Sequence, residues 1–167
     1  MTVKVDIWLV LGLLFLPVVL GFGQRGMDRS LALLNSESVP YIQTSEMDAL
    51  ENVLLLDTRS PEEYGVSHLK DSHHVGYEDF DAQRVLEQFP DREQPIVVYC
   101  SIGVRSEDIG EKLLEMGYKN VYNLYGGLFK WKNEDRSVYS KGKETDSVHA
   151  YNRLWGKLLE KGVKVFK

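Results

Sequence analysis

One stretch concentrates the residue types that do chemistry: Cys100-Ser101-Ile102-Gly103-Val104-Arg105-Ser106. Cys100 is the only cysteine in the 167-residue chain, so it has no intramolecular disulfide partner. A free thiol ionises near roughly pH 8.5, and a helix N-terminus with a nearby arginine lowers that value. Arg105, five positions further on, offers a forked cationic donor suited to an oxyanion. Gly103 permits a tight turn and close backbone approach. In such a loop the amides of Ser101, Ile102, Gly103, Val104 and Ser106 face inward and form a concave anion site. The stretch therefore describes a thiolate nucleophile in an anion cradle. Its rival is a buried structural cysteine, a common fate of free Cys. Position, glycine and arginine together favour the nucleophile.

The elements that must hold this loop lie on either side of it. Residues 95–99 (PIVVY) form a short apolar, β-branched run typical of a strand buried on both faces. Residues 107–116 place Ile109, Leu113 and Met116 on one face, with acids in the first turn and Gly117 beyond the end, which predicts a helix. A second strand is predicted over 52–57, ending at Asp57. Ligand sites in open α/β sheets gather outside the carboxyl ends of strands. Asp57 and Arg59 are thus candidate supports, either hydrogen-bonding the cradle or tying loops together as an ion pair. Ser60 and Pro61 read as the cap and first position of a helix. Further strands are expected at 41–43, 73–75 and 120–124, and helical stretches at 44–50, 77–80, 82–89 and 127–133. This alternation predicts an α/β fold with a parallel sheet and helices on both faces.

The same residues carry a family resemblance. Cys100-x-x-Gly103-x-Arg105-Ser106 resembles the active-site loop of single-domain rhodaneses, which are sulfurtransferases. Residues 54–64 (LLLDTRSPEEY) are similar to that family's strand, Asp-x-Arg and Pro-Glu-Glu-Tyr turn, and His68 stands where the family often has histidine. Residues 121–131 (VYNLYGGLFKW) resemble its closing strand, Gly-Gly turn and tryptophan-bearing helix. At His68-Leu69-Lys70-Asp71-Ser72 the chain departs from the usual His-Ile-Pro-Gly-Ala. The resemblance covers about residues 40–135 and implies a rhodanese-like open sheet of about five strands. It also implies that Cys100 takes the outer sulfur of an anionic donor such as thiosulfate, forming a persulfide that a thiol or cyanide then discharges. Arg105 would hold the donor's sulfonate end while the loop amides stabilise charge, with no cofactor. Two other readings stay open. Tyrosine-type phosphatases use a similar cradle with a longer Cys-to-Arg spacing, which accommodates phosphate better; arsenate reductases share that chemistry. A non-catalytic rhodanese-like module binding a partner in the cell envelope is the other.

The remaining chain bounds the setting. A 43% hydrophobic and 27% charged composition is ordinary for a globular domain, and the net charge of −5 argues against nucleic acid as a partner. Residues 7–23 form an apolar run that a helix would extend over about 25 Å. Residues 1–23 are accordingly read as a cleaved signal peptide or a membrane anchor, which predicts export to the periplasm or cell envelope. An exported thiol without a disulfide partner must be kept reduced or recharged with sulfur. Residues 24–39 read as a linker. In the 136–167 segment, a polar connection precedes Tyr151, Leu154, Trp155, Leu158 and Leu159, spaced as an amphipathic helix. Its basic residues, including Arg153, Lys157 and Lys161, allow docking on the domain or contact with a membrane or partner protein. His73 and His74 are adjacent and would face opposite ways in a strand, so no metal is expected there.

Overall fold

In the computed structural model, which describes residues 21–166, a five-stranded sheet carries the fold. Its strands are β1 (Tyr41–Ile42), β2 (Leu54–Asp57), β3 (His73–His74), β4 (Ile96–Tyr99) and β5 (Val121–Leu124). They lie in the order β1-β5-β4-β2-β3, and every pairing is parallel. β4 is central and all four of its residues are buried, because alternate side chains enter cores on opposite faces. Val97 and Tyr99 join Met27, Leu31, Leu128 and Phe129 on one side. Ile96 and Val98 join Leu54, Leu56, Val85, Ile109 and Leu113 on the other.

The helices that cover these faces are α1 (Gly21–Leu34), α2 (Thr44–Met47), α3 (Pro61–Val66), α4 (Ala82–Gln88), α5 (Val104–Glu115) and α6 (Gly127–Asn133). The expected α/β architecture is thus present, with α1 and α6 against one face and α4 and α5 against the other. Local chemistry starts α3: Ser60 Oγ accepts from the Glu63 amide at 3.3 Å while Glu63 Oε2 accepts from the Ser60 amide at 3.1 Å. With Pro61 following, this is a reciprocal capping box. The register pairs Asp57 with Tyr99, so Asp57 and Cys100 share one sheet edge. The divergent turn at 68–72 is closed by Tyr99, whose hydroxyl accepts from the Leu69 amide at 3.1 Å and donates to Ser72 Oγ at 2.9 Å.

Two expectations are corrected. Residues 24–34 of the expected linker are helical, because Met27 and Leu31, one turn apart, bury themselves against the sheet. The apolar run at 7–20 lies outside the described residues, and among those described no helix is long and apolar enough to cross a membrane. The C-terminal amphipathic helix does not form. A hairpin of β6 (Val138–Ser140) and β7 (Lys143–Thr145) is followed by β8 (Ser147–His149), which pairs in parallel with β9 (Val163–Val165). Only one 3₁₀ turn, Trp155–Lys157, lies between β8 and β9. Asn152 Oδ1 accepts from the amides of Leu154 and Trp155 at 2.9 and 3.0 Å and caps that turn. Gly162, with φ of 89°, then brings the chain back so closely that a Cβ there would stand 2.8 Å from the Asp146 carbonyl oxygen. The apolar stripe still docks in part: Leu159 is fully buried and Trp155 and Leu158 pack on the same core, whereas Leu154 is exposed.

Candidate active site

Cys100 directly follows the central strand, and the chain then turns through Gly103 into α5. Gly103 has φ of 109°, which glycine adopts without steric cost. Its amide donates to Cys100 Sγ at 3.1 Å. The Gly103 carbonyl is held from the other side by Asn123 Nδ2 at 2.8 Å and Asn35 Nδ2 at 2.9 Å. Asn123 also accepts from Ser106 Oγ at 2.8 Å, which locks the start of α5 to β5. The start of α6 grips the loop in turn, with the amides of Leu128 and Phe129 on the carbonyls of Cys100 and Ser101 at 2.9 and 3.0 Å. Gly127 makes this approach possible, since a Cβ there would lie 2.4 Å from the Cys100 carbonyl oxygen.

The electrostatics favour a thiolate. Cys100 keeps only 2% of its surface exposed, and burial alone would raise its pKa. Arg105 and the amides of Ser106, Gly103 and Ile102 outweigh burial and bring the thiol below its ordinary value. The converging amides separate this cysteine from an inert buried thiol.

Arg105 is not a bare cation. Its Nη1 and Nη2 donate to Glu63 Oε2 and Oε1, each at 2.8 Å, and Nη2 also donates to Ser101 Oγ at 3.2 Å. Ser101 Oγ donates to Glu63 Oε1 at 2.9 Å, which closes a three-residue ring. Burial pushes the Glu63 carboxyl up, but the Arg105 hydrogen bonds and charge hold it down at about 2. The Tyr151 ring covers the Arg105 guanidinium at 5.2 Å.

Asp57 and Arg59 take the second of their two expected roles. Arg59 donates to Asp57 through Nη2 at 2.6 Å and Nε at 2.9 Å, and to the Ser67 carbonyl at 2.6 Å. This buried pair ties the loop before α3 to the loop after it, and thereby places Glu63; its side-chain hydrogen bonds go to each other, the Arg59 amide and Ser67 rather than to the 100–106 loop. His73 and His74 diverge, His73 edge-on to Phe89 and His74 Nε2 at 2.7 Å from the Arg59 carbonyl oxygen.

A cleft of about 160 Å³ opens above the sulfur, lined by Cys100, Ser101, Ile102, Val104 and Arg105 and closed by Leu34, Tyr151 and Trp155. The expected site residues of the loop therefore converge. Sequence reasoning missed Glu63, Asn123, Asn35, Gly127 and the Tyr151–Trp155 wall. Asn123 did carry a signal, being a polar residue inside an otherwise apolar strand.

Residues 43–134 match the family described as Rhodanese-like domain. The thiosulfate sulfurtransferase GlpE of Coxiella burnetii is 32% identical over 100 residues, covering 55% of this chain and 88% of that protein. A tRNA uridine(34) hydroxylase of Hamiltonella defensa is 32% identical over 113 residues, 60% of this chain but 30% of that protein. The crystal structure of a thiosulfate sulfurtransferase from Pseudomonas aeruginosa superposes with a TM-score of 0.58 at 24% identity, over 76% of this chain and 25% of that one.

Proposed function

Since the chain belongs to the rhodanese-like domain family, we propose that it is a sulfurtransferase carrying sulfane sulfur on Cys100 from a donor such as thiosulfate to a thiol or cyanide. One observation carries this reading: the amides of Gly103, Ser106 and Ile102 turn toward Cys100 Sγ at the floor of a cleft, with Gly103 N at 3.1 Å. Relatives named thiosulfate sulfurtransferase support the reaction class.

The Cys100 thiolate attacks the outer sulfur of thiosulfate. The donor's S–S bond breaks, sulfite leaves with the bonding pair, and Cys100 becomes a persulfide anion. An acceptor thiolate then attacks that outer sulfur and returns the Cys100 thiolate. This is double-displacement chemistry through a covalent intermediate. The loop amides are already oriented, so they stabilise the anionic sulfur without reorganising. Arg105 acts as a positioned donor whose charge Glu63 has largely matched. Of the stripe that favoured a partner-binding module, Trp155, Leu158 and Leu159 pack on the protein's own core, whereas Tyr151 and Leu154 are exposed. The reading extends to export, supported by the apolar run at residues 7–23, as signal or anchor, to the periplasm or cell envelope.

The test is steady-state thiosulfate:cyanide transfer. Cys100→Ser should abolish it, and Arg105→Ala should raise the thiosulfate KM more than it lowers kcat. Retained turnover by Cys100→Ser would overturn the assignment.

A further inference from the structure

The cleft above Cys100 is finished by segments outside the family match. Residues 43–134 supply its floor, whereas Leu34 comes from the end of α1 and Tyr151 and Trp155 from the C-terminal segment. Both outside segments are fastened to the cradle. Asn35 donates to the Gly103 carbonyl at 2.9 Å, and a Cβ on Gly103 would meet Leu31 Cδ2 at 3.5 Å. On the other side Tyr151 lies over Arg105. Tyr151 is 50% exposed yet holds φ of 61°, a region few residues other than glycine enter. Its amide donates to His149 Nδ1 at 3.2 Å, and the Asn152 cap fixes the turn that follows. A strained aromatic persists only where its surroundings fix it, and such residues gather at ligand sites.

The wall these segments make is apolar. Among the described residues lining the cleft, Arg105 is the cationic one, and Glu63 already holds it through two hydrogen bonds of 2.8 Å. An inorganic anion makes no use of Leu34, Tyr151 and Trp155. The cleft volume is about 160 Å³, and an apolar cavity of about 150 Å³ holds benzene. The space therefore suits one ring or a chain of similar size.

We propose that Leu34, Tyr151 and Trp155 select organic sulfur donors whose leaving group carries an apolar substituent about the size of one ring. This rests on the sulfurtransferase reading above. For an arenethiosulfonate, the Cys100 thiolate attacks the sulfane sulfur and the bond from that sulfur to the sulfonyl sulfur breaks. The arenesulfinate leaves with the bonding pair, and Cys100 keeps the sulfane sulfur as a persulfide anion. Charge and electrons balance without an external oxidant or reductant.

The test compares the benzenethiosulfonate and methanethiosulfonate anions, which share the reacting sulfur and differ in the substituent. Sulfur loading of Cys100 is read by intact mass over time, with thiosulfate as a third donor. Wild type should load from the benzene donor with a second-order rate constant at least tenfold above that for the methane donor, since a single methylene in an apolar pocket is worth roughly 10- to 200-fold. Leu34→Ser and Tyr151→Ala, at residues 48% and 50% exposed, should each cut that ratio several-fold. Trp155→Ala should cut it further, and Trp155→Phe should restore most of it. Loading from both donors at a wild-type ratio below threefold would overturn the selectivity, as would a ratio unmoved by Leu34→Ser and Tyr151→Ala. Absence of loading from all three donors would overturn the sulfurtransferase reading together with this one.

Discussion

Replacing Glu63 by Gln keeps its shape and removes its charge. The carboxylate accepts from both Arg105 Nη atoms at 2.8 Å, from Ser101 Oγ at 2.9 Å and from the Ser60 amide at 3.1 Å. Its pKa stands at about 2, against an ordinary value of 4.5. That depression corresponds to about 3 kcal/mol of stability at neutral pH. The Arg105 side chain is 22% exposed, so solvent screening trims the figure to about 2–3 kcal/mol. Because the folded pKa lies below the unfolded one, this stabilisation is complete above pH 4.5 and is lost as pH falls toward 2. Urea denaturation of wild type and Glu63→Gln should therefore differ by about 2–3 kcal/mol at neutral pH, and the two curves should converge between pH 4.5 and 2. The substitution also leaves Arg105 uncompensated beside Cys100, so the thiol's alkylation profile should shift toward acid. A neutral-pH difference below about 0.5 kcal/mol, or one that widens on acidification, would refute the assignment of Glu63 as the buried partner of Arg105.

Two further substitutions probe the cradle. Gly127→Ala places a Cβ 2.4 Å from the Cys100 carbonyl oxygen and 2.9 Å from the Ile102 amide nitrogen at φ of 52°. It should cost about 4 kcal/mol or more by thermal unfolding, whereas Gly65→Ala, with nothing within 4 Å, should be neutral or stabilise α3 slightly. Asn123→Ala removes a buried donor to the Gly103 carbonyl and the acceptor of Ser106 Oγ. It should destabilise by about 2–3 kcal/mol and raise the Cys100 pKa, seen as slower iodoacetamide alkylation at neutral pH.

The chemistry was most legible where neighbours in sequence are neighbours in space. Cys100, Gly103 and Arg105 sit in one turn, so strand, loop and helix together placed the thiol and its amides. Glu63 lies 42 residues from Arg105 and plays a sufficient local part as a helix cap, which concealed its second role. Asp57 and Arg59 left two geometries open, because a carboxylate and a guanidinium two residues apart can close on each other or reach outward, and only burial decided between them. Met27 and Leu31 lie in a polar surround whose apolar partners come from the sheet, so α1 read as a linker. At the C-terminus the periodicity of Tyr151, Leu154, Trp155, Leu158 and Leu159 suits a helix. Gly156 weakens one by about 1 kcal/mol, however, and the Asn152 cap, the φ of Tyr151 and the pairing of Val163–Val165 with β8 override it. The same override brings Tyr151 and Trp155 to the cleft.

Under the proposed sulfurtransferase reading, Cys100 is an amide-stabilised thiolate that accepts and holds a sulfane sulfur. Reduced protein mixed with thiosulfate, freed of excess donor and weighed intact, should gain the mass of one sulfur atom. Peptide mapping should place that sulfur on Cys100, and cyanide should release it as thiocyanate. An unchanged mass, or sulfur carried on Cys100→Ser as readily as on wild type, would contradict the account.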